Sequence, residues 1–413
     1  MKKALILLAA LLLVSVQAQT IVRFMSLTGD DGRPEYEDEV IAAFNASHPD
    51  IQVVAERLPN EDFKKKLPTL LQTNEAPHLF YSWGGGILEE QVAAGTTRDI
   101  SGLLDDEFLS TMSAAGMNAF TINGEVVGLP WVVSEVGFWY NKDLAAQAEI
   151  DVSAIQTWSD FLAAVQKAKD AGLTPIAAGG LDKWPLHFYW SYLAMREAGH
   201  QGFIDAQSGE GDGFAAEAFV KAGEDFKELI DMQPFQEGFM TMGYGDASGF
   251  FGDGGAVFHL MGNWEYGSQK GASQNGGLSD EQLGLLSFPM VEGGAGDITD
   301  TFGGINGFVV AKDAPDEAVT FLKYLMSVEN QTEAGARALF IPMAKGSEVE
   351  MTNPFFAQIS RDLAASNWHQ IFLDQSLGAD VGGVVNDISA QLATGDITPA
   401  DAAALIQESW ELR

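Results

Sequence analysis

Apolar positions along the chain follow two periods in turn. Short runs at 21–25, 51–55 and 78–81 are rich in Ile, Val, Phe and Tyr and read as strands. Between them the spacing becomes helical, with Tyr36, Val40, Ile41 and Phe44 after Pro34, then Phe63, Leu67, Leu70 and Leu71. This strand–helix alternation with short connections predicts a parallel α/β sheet, in which ligands bind beyond the carboxyl ends of the strands. The loops at 26–33 and 82–86 lie there. Asn123-Gly124, between two short extended segments, signals a hairpin. The run 132–140 that follows is almost wholly apolar, and Ser134 and Glu135 form the polar pair inside it. A carboxylate between Trp131 and Trp139 is costly to bury alone, so Glu135 marks either an ion pair or a cleft where a polar ligand meets the backbone. A cleft is expected.

Further along, Thr157 and Asp160 form a capping box ahead of Phe161, Leu162 and Val165. Strands are expected at 174–178, 256–260 and 283–288, and a Gly-rich crossing strand ends at Val309-Val310. Helices are expected at about 214–230, 315–327 and 329–339, and a last one opens at Thr398 with Pro399 at its first position. No internal repeat or low-complexity tract is present.

Composition narrows the class. Lys2 and Lys3 precede an apolar run at 4–16 that is too short to span a bilayer, and Val16-Gln17-Ala18 suits cleavage, so residues 1–18 read as a signal peptide. Cysteine is absent, which excludes disulfides, thiolate metal sites, cysteine nucleophiles and an acylated-cysteine anchor. A periplasmic location is therefore expected. The remaining 395 residues exceed one core, so two domains are expected, and 26 Phe can fill both. A formal net charge of −35 argues against nucleic acid or an anionic membrane as partner.

Catalytic and cofactor motifs are missing. Ser82-Trp83-Gly84-Gly85-Gly86 lacks dinucleotide spacing and a Walker lysine; no HExxH and no Gly-x-Ser-x-Gly occurs; Asp30-Asp31-Gly32 begins like a calcium loop without its later ligands. No cofactor and no metal are expected. Trp83, Trp131, Trp184, Trp264 and Trp368 fall at predicted strand ends or loops beside Gly, Pro or Asn, where each singly also suits packing. Together they suggest a carbohydrate cleft, because a flat aromatic face covers the apolar face of a sugar ring while Asp, Glu and Asn bond its hydroxyls. Trp139, Trp158, Trp190 and Trp410 are assigned to packing.

Five segments carry a family resemblance: EVIAAFNASHPDIQV (39–53), HLFYSWGGG (78–86), GLPWVVSEVGFWYNKDL (128–144), AVFHLMGNWE (256–265) and GGINGFVVAKDAPDEAVTFLKYL (303–325). In this order and spacing the mature chain resembles the extracellular sugar-binding proteins of ABC importers, the maltose-binding-protein-like type among family 1 solute-binding proteins. The resemblance implies a two-lobed periplasmic-binding-protein fold of type II, each lobe a mostly parallel sheet flanked by helices, with the ligand in the cleft between them and closure by hinge motion. It implies a first lobe of 19–132 plus 306–345 and a second of 133–305 plus 346–413, with crossings at 130–137, 304–308 and near 341–351. Carried over by position, sugar contacts fall at Asp30 or Asp31, Ser82 and Trp83 in the first lobe, and at Ser134 or Glu135 on the crossing strand. Asn306 lies on the second crossing, and Trp184, Asn263, Trp264 and Trp368 belong to the second lobe. Strand alternation lets only one of Ser134 and Glu135 face the cleft, and Glu135 is the choice. The loop 82–86 and the region around Trp184 depart from the maltose-binding pattern, so maltodextrin is not implied. The expected partners are a sugar and the membrane subunits of a permease, with the binding protein a monomer and not an enzyme. Two alternatives are a secreted glycoside hydrolase, and the same fold binding a polyol or another small polar solute.

Overall fold

The computed structural model describes residues 19–413; the proposed signal peptide lies outside the described residues. The amino-terminal elements are β1 (Thr20–Leu27), α1 (Arg33–Ser47), β2 (Ile51–Leu58), α2 (Asn60–Leu70), β3 (Leu79–Ser82) and α3 (Gly85–Ala93). β1 pairs in parallel with both β2 and β3. The Asn123-Gly124 turn joins β4 (Thr121–Ile122) to β5 (Glu125–Val126), with both turn residues at positive φ.

β6 (Gly128–Asn141) is the spine of the molecule. Its first half pairs antiparallel with β10 (Thr301–Val310), which in turn pairs antiparallel with β3. Its second half pairs antiparallel with β8 (Phe258–Gly262) and β9 (Leu283–Leu286), and β7 (Ile176–Ala177) lies parallel to β8. β11 (Ile341–Pro342) pairs with β6, and β12 (His369–Ile371) with β10. The strand path β2-β1-β3-β10-β6-β8-β7 is therefore parallel at its ends and antiparallel through the middle. The mixed character arises because β6 and β10 leave one half of the molecule and enter the other in opposite directions.

Burial divides along the same line. Leu129, Trp131 and Val132 of β6 join one apolar core with Phe308, Val309 and Val310 of β10. Val136, Phe138 and Trp139 join a second core together with Phe302. One continuous apolar strand thus serves two cores, and the hand-over falls between Val132 and Val136. A third hand-over falls between Phe340 and Ile341. The molecule is a two-lobed α/β protein with crossing strands between the lobes.

The helix Trp184–Ser208 carries residues 185–192 into a buried ridge of the second lobe, so Trp184, expected at a strand end or loop, opens a helix instead. Gly199 breaks its helical geometry with φ 63°. Among the described residues no helix is long and apolar enough to cross a membrane.

Candidate ligand-binding site

A cavity of about 450 Å³ lies between the lobes, at the carboxyl ends of β1 and β3. This is the size range of small-molecule sites. The loop after β1 supplies Asp30 and Asp31, the first turns of α2 supply Asn60, Glu61 and Lys64, and β3 presents Tyr81 ahead of Trp83. From the second lobe come Asp182, Trp184 and His187, then Tyr244, Trp264 and Ser268, and finally Phe372 and Asp374. Asn306 of β10 and Trp131 of β6 complete the lining from the crossing strands.

Aromatic faces stand on both walls. Trp83 packs edge-on against Phe63 and Tyr81, with ring centroids 5.8 and 5.1 Å apart, and Lys64 Nζ lies 5.3 Å from its ring centre. Opposite, Trp264 sits 6.4 Å from Trp184 and 6.1 Å from Phe372. Trp83, Trp184 and Trp264 are each half-buried, which leaves ring surface open to the cavity.

The polar groups of the wall are mostly held in place. Arg33 Nε donates to Asp31 Oδ2 at 2.7 Å, and this carboxylate raises the guanidinium pKa against the opposing effect of burial. Glu37, buried under the loop, accepts from Ser26 Oγ at 2.8 Å and Arg57 Nε at 3.0 Å. Burial still pushes its carboxyl up to about 7 against the pull of Arg57. Tyr244 N–H donates to Asp182 Oδ2 at 2.7 Å, and Tyr244 O–H to Ser268 Oγ at 2.6 Å. His187 is fully buried, which holds its ring below the ordinary histidine range and hence neutral. Four polar atoms of the lining, Trp131 Nε1, Asn306 Oδ1 and both ring nitrogens of His187, are buried with no hydrogen-bond partner.

The lobes touch at both rims. Lys64 Nζ stands 3.4 Å from Asp374 Oδ2 across the cleft, and against burial its charge, with hydrogen bonds from Gln375 and Asn386, lowers the aspartate pKa. Glu90 of α3 accepts from Ala379 N–H at the start of the helix Ala379–Thr394, at 3.1 Å. On the other side Asp31 backbone lies about 3 Å from where a Cβ on Gly267 would stand, an approach that only glycine permits.

Of the residues expected from sequence, Asp30, Asp31, Trp83, Trp184, Trp264 and Asn306 line the cavity together. Ser82, Ser134, Glu135, Asn263 and Trp368 do not. Ser82 Oγ accepts from Gly84 N–H and shapes the turn into α3. Ser134 Oγ donates to Gly304 O at 3.3 Å within the strand pair. Glu135, the expected cleft carboxylate, instead sits over a small separate pocket beside Leu285, Ile359 and Asp362. Burial, with Asp362 adding to it, pushes its carboxyl up to about 8. At Glu135 the strand is paired with β10, and Ile359 and Asp362 of the helix Pro354–Ala365 stand beside its side chain, which turns away from the cleft that Trp131 lines. Asn263 is buried, and its N–H donates to Glu135 O at 3.1 Å. Trp368, half-buried, stacks on the exposed His200 at 4.6 Å and packs against Phe203 at the edge of the second core.

Lys64, Tyr81, Tyr244, Phe372 and Asp374 line the cavity without having been singled out from sequence. Lys64 and Phe372 sit in amphipathic or mixed segments with no local signal. His187 lies in the aromatic-rich run 184–192, whose spacing does not show which rings face inward. Among the described residues no cluster of His, Asp and Glu is arranged to hold a metal ion.

This geometry can be set beside known proteins. The family model for bacterial extracellular solute-binding proteins matches residues 30–332. The chain belongs to that family. An uncharacterized ABC transporter extracellular-binding protein of Pyrococcus horikoshii is 23% identical over 88% of this chain and 81% of its own length. A solved structure from work on xylan utilization by Caldanaerobius polysaccharolyticus is 27% identical, covers 94% of this chain and 99% of that one, and superposes with a TM-score of 0.87. A chitin oligosaccharide binding protein, 22% identical, superposes with a TM-score of 0.86 over 95% of this chain and 98% of its own. Its relatives are solute-binding proteins rather than enzymes, and the family's extracellular character makes this an exported protein.

Proposed function

We propose that the protein captures a short saccharide in the interlobe cavity and delivers it to the membrane subunits of an ABC importer. The observation that carries this reading is the pairing of open aromatic faces on both walls with buried, unpartnered polar atoms between them, Trp131 Nε1 and Asn306 Oδ1 among these. Trp83 and Trp264 offer surfaces that suit the apolar faces of pyranose rings. Trp131 Nε1, a donor, and Asn306 Oδ1, an acceptor, lack partners that a hydroxyl-bearing ligand supplies. Relatives whose names refer to chitin oligosaccharide and xylan utilization support a saccharide over a polyol.

Sugar bound to both lobes favours the closed form by its differential affinity for that form, and the closed form docks on the permease. The lobes turn about the hand-over segments of β6 and β10, with boundaries near 132, 305 and 345. The protein acts as a monomer, performs no covalent chemistry, and works in the periplasm after cleavage near Ala18.

Calorimetric titration with xylotriose, cellotriose, chitotriose and maltotriose tests this reading. Binding of at least one in the micromolar range or tighter is expected, with the sugar recovered unchanged. Absence of heat with every sugar overturns the saccharide assignment, and recovery of cleaved products overturns the non-enzymatic one.

A further inference from the structure

The cavity wall holds a surplus of negative charge, and its positive charge is already engaged. Five carboxylates line it, from Asp30, Asp31, Glu61, Asp182 and Asp374, with the partly neutral carboxyl of Glu37 a sixth acidic group, beside only two cations, Arg33 and Lys64. Arg33 is taken up by Asp31, with Nη2 at 2.5 Å and Nε at 2.7 Å from the same oxygen. Lys64 Nζ lies 3.4 Å from Asp374 and 3.6 Å from Glu61, and over the ring of Trp83. Arg57, behind the wall, is divided between Glu37 and Asp38. Asp30 on the rim and Asp182 have no cationic partner among the described residues.

We propose, resting on the saccharide reading above, that the cleft selects by charge and admits neutral saccharides while refusing those that carry a uronic acid. A carboxylate entering this space loses water, meets no free guanidinium or ammonium, and stands beside unpaired carboxylates of its own sign. To bind, it has to take Lys64 from Asp374, which breaks an interlobe contact that helps hold the cleft shut. A neutral hydroxyl incurs neither penalty, and the unpartnered atoms at Trp131 and Asn306 are a neutral donor and a neutral acceptor. The wall therefore discriminates by what it repels as much as by what it attracts.

The test uses the mature protein and matched ligands in calorimetry at low salt. Xylotriose, cellotriose and maltotriose are each compared with the trisaccharide of the same linkage ending in a hexuronic acid, and with the methyl ester of that acid. The acid is expected to bind at least about tenfold more weakly than both the neutral sugar and the ester. In the double variant Asp30→Asn/Glu61→Gln, which lowers the surplus and loosens the hold on Lys64, the gap should narrow several-fold. Asp30→Asn alone, at an exposed position, should move it in the same direction by less. Equal or tighter binding of the acid overturns the charge selection and leaves the saccharide reading standing. A gap that is also seen with the ester, or that stays unchanged in both variants, makes the discrimination steric and overturns it as well. Failure of every sugar to bind removes the saccharide reading and this inference together.

Discussion

A carboxylate in an apolar strand needs either a partner or a proton. Glu135 is 6% exposed, its Oε2 has no hydrogen bond, and the groups that face it are Asp362, which raises its pKa, and the more remote cation Arg196, which lowers it. Its folded pKa of about 8 lies above the ordinary 4.5, so the native state keeps a proton that the unfolded chain releases. Stability from this group is therefore full below about pH 4.5, declines as pH rises, and levels off above about 8. Glu135→Gln removes that decline. In urea titrations the variant should match the wild type at pH 4.5 and exceed it by several kcal/mol, up to about 5, at pH 8.5; a difference independent of pH would refute the assignment. Trp264→Ala is the residue-level test of the site. Loss of one stacking face should weaken sugar binding by about 2 kcal/mol, roughly thirtyfold in Kd, with the melting temperature near that of wild type. A large loss of stability with unchanged affinity would make Trp264 a packing residue. Sequence identified Glu135 as anomalous but not the direction its side chain takes, because β6 is enclosed on both faces only once β9, β10 and the helix Pro354–Ala365 assemble around it.

Elements whose geometry is local were readable in advance, and those defined by convergence were not. The Thr157–Asp160 capping box, the Asn123-Gly124 hairpin and the cap of Thr398 on Asp401 N–H all involve neighbours within four residues. Trp368 misled because a tryptophan beside Asn reads as a loop, whereas its ring packs on His200 and Phe203 at the edge of the second core, away from the cavity. Nor does any periodicity reveal that α3 of one lobe meets the helix Ala379–Thr394 of the other. At that contact a Cβ on Gly86 would lie 2.7 Å from Gly378 N and 2.8 Å from Ser376 O, both backbone atoms that cannot easily move aside. Gly86 does not have a positive φ, so alanine fits the backbone of α3 and improves its helix propensity. Gly86→Ala should therefore leave stability unchanged or slightly higher while opposing closure, and weaken sugar affinity by about tenfold or more. Calorimetry measures the affinity, and small-angle scattering with saturating sugar should show a larger radius of gyration than wild type. Unchanged affinity would mean that the α3 contact is not part of the bound state.

At the scale of the whole molecule, the division into two cores was legible because the 395 residues after the proposed signal peptide exceed what one core organises, with 26 Phe to fill both. The electrostatics follow from counting. With 58 acidic and 23 basic residues, even complete pairing leaves 35 carboxylates without a cation. Pairs such as Lys183–Asp387 at 2.6 Å and Lys227–Asp231 at 2.5 Å lie on the surface, where each contributes about 0–1 kcal/mol. Salt weakens these attractions and the repulsions alike, but repulsive pairs are far more numerous, so screening should favour the folded state. Raising NaCl from about 0.01 to about 0.5 M should lift the melting temperature by roughly 5 °C. The same change should leave the affinity for a neutral sugar within about twofold, since no ligand charge is there to screen. If the melting temperature stays flat, the surplus carboxylates are spread widely enough that their repulsion is already negligible, and the acidity has no bearing on stability.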